Sequence, residues 1–494
     1  MYDDFDPEGK RLPIKIDGSS NGEFTPRQIT ETERQINLEA SKKASDLSKY
    51  LNQTRREFLK SACGAAATLL VMNNIYTRLG VTGGFFNIAQ AAEVEPELAE
   101  KAVVGADLIV DMQTHCVQPY GSWVAGKDGE LWVENLTKVF EQAPKCSGES
   151  ANKDRFDCYS AQQLIKEVFL DSNTDIAVVS ALWGAKGHNP TPTSYAAEVR
   201  NLVEVLGDRN RALIHGGVLP NEEGAIDFMD EQVEKYQIDA WKLYPQWGPQ
   251  GVGFFLDDPK FGIPVIEKAR KLGKKVICIH KGLPLPGLEY KYSSPEDMGR
   301  IAKMFPDVTF IVFHSGFENE IVEGPYNPNN PKGVDRLIKS HQENGFKANQ
   351  GNLYAELGSV WRQKMRYPDQ AAHLMGKLLK YFGEERICWG TDSLWYGSPQ
   401  DQIQAFSSFE ISEKFQEAYR YPALSKEAKA KIFAGNAIRI HDIKLNRLRH
   451  LQHDKIKKFR ETYALSPNPS FETFGPKTAA QYESLWKHRG GYPI

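Results

Sequence analysis

Residues 308–316 read VTFIVFHSG, an unbroken apolar and β-branched run that stops at His314 and Gly316. Bounded by Pro306-Asp307 and by glycine, such a run reads as a strand buried on both faces, with the histidine at its carboxyl end. Three more runs have the same form. They are DLIVDMQTHC at 107–116 with His115, KVICIHKG at 275–282 with His280, and RICWGTDS at 386–393 with Asp392. A single histidine on an apolar stretch is most often a core or loop residue. Four strand-end groups of metal-ligating or acid–base type, separated by helical patterns, describe instead the carboxyl-terminal face of a (β/α)₈ barrel, where that fold builds its active site.

Working outward, short Val/Ile/Leu/Ala-rich runs at 107–115, 176–183, 212–220, 238–245, 275–282, 308–316, 352–360 and 386–392 make eight candidate strands. Helix-period segments lie between them. TSYAAEVRNLVEVLG closes on Gly207 and DPKFGIPVIEKARKLG on Gly273, both placed as C-caps. NEEGAIDFMDEQVEKY opens on Asn221 as N-cap, and SPEDMGRIAKMF places proline at the first helical position. Eight βα alternations predict an α/β fold, a (β/α)₈ TIM barrel over residues 92–443, with a doubly wound open sheet as the alternative. Residues 116–160 form an insertion after strand one, and 317–335 are irregular (NPNNPKG); both are expected to wall the site. KAKIFAGNAIRIHDI reads as a closing helix, and residues 444–494 as a C-terminal helical extension packed on the barrel.

The 494 residues are 41% hydrophobic and 25% charged, which suits one large globular domain with appendages. A formal charge of −3 leaves no basic footprint, so nucleic acid is not an expected partner. Residues 54–60, TRREFLK, precede the apolar stretch Ala62–Met72 and the small-residue triplet Ala89-Gln90-Ala91. This arrangement resembles a twin-arginine export signal. The expectation is a disordered polar leader at 1–53, a signal segment at 54–91, the twin-arginine machinery as partner, and a periplasmic or otherwise exported protein. The stretch is too short to span a bilayer. Cys146 and Cys158 flank a polar segment in a spacing that allows a disulfide after export, whereas Cys278 and Cys388 sit inside strands as small hydrophobes.

Gln113 and His115 point the same way from strand one, as residues i and i+2 do. With His280 from strand five and Asp392 from strand eight they form a plan for one divalent metal ion: zinc first, manganese or iron as alternatives. His314 then stands beside it as acid–base group, and Asp392 both ligates and handles the nucleophilic water. Lys242, ending strand four in DAWKLYP, is placed to hold a substrate carboxylate. Trp183 and Tyr244 are placed as aromatic substrate walls. Lys281 either helps or points away, and Glu356 either supports a histidine or neutralises Lys242.

The residues at these positions, Gln113-Thr114-His115, Ile279-His280, Phe313-His314-Ser315-Gly316 and Gly390-Thr391-Asp392, resemble the amidohydrolase superfamily. The resemblance is to its amidohydrolase-2 branch, which includes aminocarboxymuconate-semialdehyde decarboxylase and related hydrolases. It covers roughly residues 107–443 and implies a metal-dependent enzyme, with a homodimer as a further expectation. Gln113 departs from the family pattern, which has His or Glu there; an amide oxygen is a weak donor. Three functions follow. The first is hydrolysis of a small carboxylated or aromatic ester, lactone or amide by metal-activated water. The second is metal-dependent non-oxidative decarboxylation of an aromatic or unsaturated acid. The third is a metal-poor, inactive barrel used for binding.

Overall fold

The computed structural model describes residues 11–118, 159–182, 189–206, 211–248, 252–284, 289–451, 453–480 and 482. Eight parallel strands form one sheet in sequential order. They are β1 (Val110–Thr114), β2 (Ile176–Ser180), β3 (Ala212–Val218), β4 (Ala240–Leu243), β5 (Val276–His280), β6 (Thr309–Phe313), β7 (Leu353–Glu356) and β8 (Ile387–Cys388). The sheet closes on itself where the Met112 amide donates to the Trp389 carbonyl at 3.0 Å and the Asp392 amide to that of Gln113 at 2.9 Å. The fold is a (β/α)₈ barrel. Its strands are buried at nearly every position because barrel side chains and covering helices cover both faces.

Some helix boundaries move from the sequence expectation for identifiable reasons. Gly273 does cap its helix, at φ 71°. Asn221 does not start one: the helix begins at Phe228, after turns, and the Asn221 amide reaches the carbonyls of Trp247 and Val252. The helix after Pro295 begins at Met298, and Asp297 does not cap it through its side chain. That carboxylate is engaged by Lys281 Nζ at 3.0 Å and the Leu256 amide at 2.8 Å. Lys281 is thereby directed away from the barrel mouth. The Cys146–Cys158 pair and most of the 116–160 insertion lie outside the described residues, as do Trp183 and Gly207; Cys63, Cys116, Cys278 and Cys388 are free and buried.

The N-terminal region differs most from expectation. Instead of a disordered leader and a detached signal, residues 11–91 pack against the barrel. Helix α1 (Glu31–Tyr50) begins with a capping box between Thr30 and Glu33, and α2 (Arg55–Lys60) with one between Thr54 and Glu57. Helix α3 (Ala62–Arg78) carries the apolar run expected of a signal. Ala65, Ala66, Leu69, Met72 and Ile75 are all buried, within the same hydrophobic core as the barrel. No helix among the described residues is long and apolar enough to cross a membrane. Gly84–Phe86 then pairs antiparallel with Phe409–Ile411, tying the region to the far end of the chain. An alanine-rich run reads alike whether a protein surface or an export channel receives it; here a protein surface receives it.

One core histidine sets an acid limit on the fold. His341 is buried between the rings of Phe346 and Phe382, and neither ring nitrogen has a hydrogen-bond partner. Burial, with the nearby Arg386, holds its pKa down at about 4 from 6.5. Between those values the unfolded chain binds the proton and the folded chain does not, so stability falls as pH drops from 6.5 towards 4. We expect His341→Phe to flatten that part of the stability profile. Denaturant midpoints across pH 4 to 7 check it; an unchanged slope contradicts it.

Candidate active site

The carboxyl ends of β1, β5, β6 and β8 bring Gln113, His115, His280, His314 and Asp392 to one buried cluster. Two of the histidines are fixed in tautomer by main-chain acceptors. The Nδ1–H of His115 donates to the Ser180 carbonyl at 3.0 Å, and that of His314 to the Gly358 carbonyl at 2.8 Å. A carbonyl can only accept, so each Nδ1 carries a proton and each ring turns Nε2 to the cluster, as a lone pair when the ring is neutral. His115 Nε2 lies 3.3 Å from Asp392 Oδ1, and the Gln113 amide nitrogen lies 3.3 and 3.4 Å from the Nε2 atoms of His115 and His314. His280 stacks on Tyr244 and meets His314 edge-on at a centroid distance of 4.6 Å. Neither of its ring nitrogens has a hydrogen-bond partner.

Asp392 is the hub. Its Oδ1 accepts from Gln113 Nε2 at 2.9 Å, and its Oδ2 from Ser359 Oγ at 2.6 Å and Asn21 Nδ2 at 2.7 Å. Burial pushes this carboxyl up, but the hydrogen bond and charge that His115 and His314 would offer when protonated, with the Ser359 hydrogen bond, hold it well below the usual carboxylate range. Burial likewise pushes His314 down to about 4 and His280 well below 6.5, leaving both neutral near pH 7. Glu356 supports His314 from behind, accepting from its amide at 3.1 Å and from that of Gly358 at 2.6 Å. Burial raises Glu356 to about 8. The Gly390 position explains part of the Gly-Thr-Asp string: a Cβ there would lie 1.6 Å from Glu356 Oε1. His314, Ser315, Ser359 and Asp392 all have φ between 52° and 65°, a strained region for non-glycine residues that is concentrated here.

Lys242 is fully buried on β4, its ammonium 3.7 Å from the centre of the Phe313 ring and 4.7 Å from that of Tyr244. It has no hydrogen-bond partner, and burial lowers its pKa to about 8. Lys242 and Tyr244 line a cavity of about 100 Å³ with Leu182, Asn189, Gly217 and Leu219. Trp183 falls outside the described residues, so its expected place as a wall is not described.

Four participants were not anticipated: Asn21, Glu23, Ser359 and Tyr396. The last two are linked at 2.8 Å behind Asp392. Glu23 Oε1 lies 3.5 Å from His280 Nδ1, and its Oε2 3.9 Å from His314 Nε2. Among the described residues, Glu23, His280 and His314 are the group of His, Cys, Asp or Glu whose ligand atoms all lie within 4.8 Å. The expected trio is distributed differently: His115 and Asp392 are in contact, and His280 joins through His314 and Glu23. Gln113 uses its amide nitrogen to hold Asp392, and its Oε1 is unpartnered.

The residues fit a divalent cation. Neutral imidazoles with main-chain-fixed tautomers and an ionised carboxylate are the donors such an ion takes. The separations of 3.3 Å between His115 Nε2 and Asp392 Oδ1 and of 3.5 Å between His280 Nδ1 and Glu23 Oε1 match the roughly 3.4 Å edge between tetrahedral ligands held at about 2.1 Å. The carboxyl groups of Glu23, Glu356 and Asp392 surround the buried ammonium of Lys242, and burial raises both glutamates to about 8, so a bound cation would favour their ionised forms.

Residues 167–443 match the amidohydrolase family. None of the curated proteins matches the chain. Solved structures with similarity include an uncharacterised TIM-barrel protein from Bordetella bronchiseptica (16% identity, 70% of this chain and 99% of that one, TM-score 0.43). Two others are 5-carboxyvanillate decarboxylase from Sphingomonas paucimobilis (13%, 69% and 100%, 0.41) and 2,6-dihydroxybenzoate decarboxylase from Rhizobium (14%, 68% and 99%, 0.40).

Proposed function

This chain belongs to the amidohydrolase family, and from that premise we propose that it is a metal-dependent hydrolase of a small carboxylated or aromatic ester, lactone or amide. The observation that carries the reading is the pair of histidines, His115 and His314, turned by main-chain carbonyls to face an ionised Asp392, with His280 unpartnered beside them. His115 and Asp392, in contact with each other, and His280, which joins them through His314 and Glu23, would supply the donors for one divalent ion, which when bound supplies Lewis acidity towards water and a carbonyl oxygen. His314, neutral and fixed through Nδ1, offers Nε2 as the proton acceptor and returns that proton to the leaving group. Glu356 keeps the His314 backbone in its strained turn. Ser359, Asn21 and Gln113 fix both oxygens of Asp392, so that its orientation needs no reorganisation during turnover.

Lys242 gives the substrate class its anionic group, since an ammonium buried without a hydrogen bond favours a carboxylate partner in the adjoining cavity. We expect Lys242→Met to raise KM for a carboxylated substrate by about 10- to 100-fold, the value of a charge-assisted hydrogen bond, with a smaller change in kcat. A loss confined to kcat contradicts the anchoring role. The test of the reaction itself is an aromatic acid, ester and lactone panel, scored for proton release and for carbon dioxide release with and without chelator. Chelator-sensitive proton release supports hydrolysis; carbon dioxide release places the chain with the decarboxylating reading instead.

The proposal extends to export with the N-terminal region retained. Arg55 and Arg56 are exposed at the start of α2, where export machinery can read them. Cleavage after Ala91 would detach α1 to α3 and withdraw Asn21 and Glu23 from the site. The intact mass of the chain recovered from the periplasm tests this, and a species beginning near residue 92 contradicts it.

A further inference from the structure

We propose that Glu23, carried on the N-terminal arm, is a protein ligand to the metal, supplying the anionic donor that strand one lacks because position 113 is glutamine. The inference rests on the metal-dependent reading above and adds a ligand from the opposite end of the chain.

The arm is built into the structure. Leu12, Ile14, Ile16 and Phe24 are buried. Lys15 Nζ donates to the Ser398 carbonyl at 2.5 Å and pairs with Asp401 at 3.3 Å. Asp17 takes Arg362 at 3.1 Å, and its carbonyl accepts from Arg366. Ser19 donates to Thr473 at 2.6 Å, and the Ser20 amide to the Pro476 carbonyl at 2.8 Å, so the C-terminal extension clamps the arm from outside. These contacts bring Asn21 and Glu23 to the barrel mouth together. The Asn21 amide nitrogen then bridges Asp392 Oδ2 at 2.7 Å and Glu23 Oε2 at 2.5 Å, which fixes where the Glu23 carboxylate points.

It points at two imidazoles. A carboxylate oxygen and a ring nitrogen can be stabilised by sharing either a proton or a cation. The separations of 3.5 and 3.9 Å are long for a charge-assisted hydrogen bond, which runs to about 2.7–2.9 Å. His314 has already committed its Nδ1–H to Gly358, so its Nε2 has a lone pair and no proton to give. A cation shared between the carboxylate and the His280 ring satisfies both groups and leaves His314 Nε2 as the proton acceptor. It also accounts for the unpartnered His280 ring, which is fully buried. Gln113 leaves the same gap from the other side of the site. Its nitrogen is spent on Asp392, so strand one brings only His115 as a strong donor, and Glu23 restores the carboxylate.

The test uses the full chain, stripped of metal and titrated with Co²⁺ alone, which reports coordination through its visible absorption. Glu23→Gln keeps the side-chain shape and the Asn21 contact. We expect it to weaken Co²⁺ affinity by at least about 10- to 100-fold and to alter the visible spectrum. Glu23→Asp should fall between the two. In Glu23→Gln/Gln113→Glu, a carboxylate on strand one should recover much of the affinity. The metal-free melting temperature of each variant, read beside its metal-induced increase, separates loss of ligand from loss of fold. If Glu23→Gln does not fold, the affinity and spectrum of Glu23→Asp decide. Wild-type affinity and an unchanged spectrum in Glu23→Gln overturn the inference and leave the metalloenzyme reading intact. If that variant is also more active, the arm is a blocking group. Absence of Co²⁺ binding by the wild-type chain overturns both.

Discussion

Asp392→Asn is expected to lower kcat/KM by roughly 10³-fold or more, about 4 kcal/mol of transition-state stabilisation, and to reduce bound metal with it. The change is nearly isosteric, yet no orientation of the amide suits the site. Asp392 Oδ1 accepts from the Gln113 amide, and Oδ2 accepts from Ser359 and Asn21. Whichever side the new NH₂ takes, it meets a donor. The substitution therefore removes the charge and also leaves a buried donor unsatisfied, a further cost of about 1–3 kcal/mol in stability. Steady-state kinetics, metal content and a thermal melt on the same preparation check it. A variant with full metal and near-native turnover would contradict the place given to Asp392.

Removing residues 1–91 is expected to cost the fold as well as the site. Ile36, Phe58, Leu69 and Ile75 are each no more than 2% exposed. At about 1.5–3 kcal/mol for each large apolar side chain, these four alone contribute on the order of 10 kcal/mol, an upper bound because unfolded chains already bury some surface. That is comparable with the whole stability of an ordinary domain. The deletion also bares the faces of Pro96–Val103 and Gln400–Ser408 that α3 covers. We expect residues 92–494 produced alone to be insoluble, or to melt well below the full chain and to bind metal weakly. A soluble barrel with the stability and metal affinity of the full chain would show that the N-terminal region is dispensable.

The barrel was legible because its strands are buried on both faces. Such strands must be written as continuous apolar runs, and all eight lie within the ranges those runs define. The strand-end histidines were legible for a related reason: a polar residue closing an apolar run stands out. The arm had no such signal. Asn21 and Glu23 lie in SSNGEF, a polar string like any loop, and their partners are some 260 to 370 residues away. The packing of helix α3 on the barrel was not legible because its alanine-rich pattern fixes apolarity without fixing the apolar environment. Gln113 was recognised as a departure from its family. Its role as a donor to Asp392 depends on the direction of an amide, which sequence does not encode.

The most direct measurement is the metal content of the full-length chain, purified without chelator, followed through chelation and re-addition with hydrolysis monitored throughout. One divalent ion per chain is expected, with ion and activity lost together and regained together. A chain that carries no stoichiometric ion, or whose hydrolysis is unchanged after its metal is removed, would contradict it.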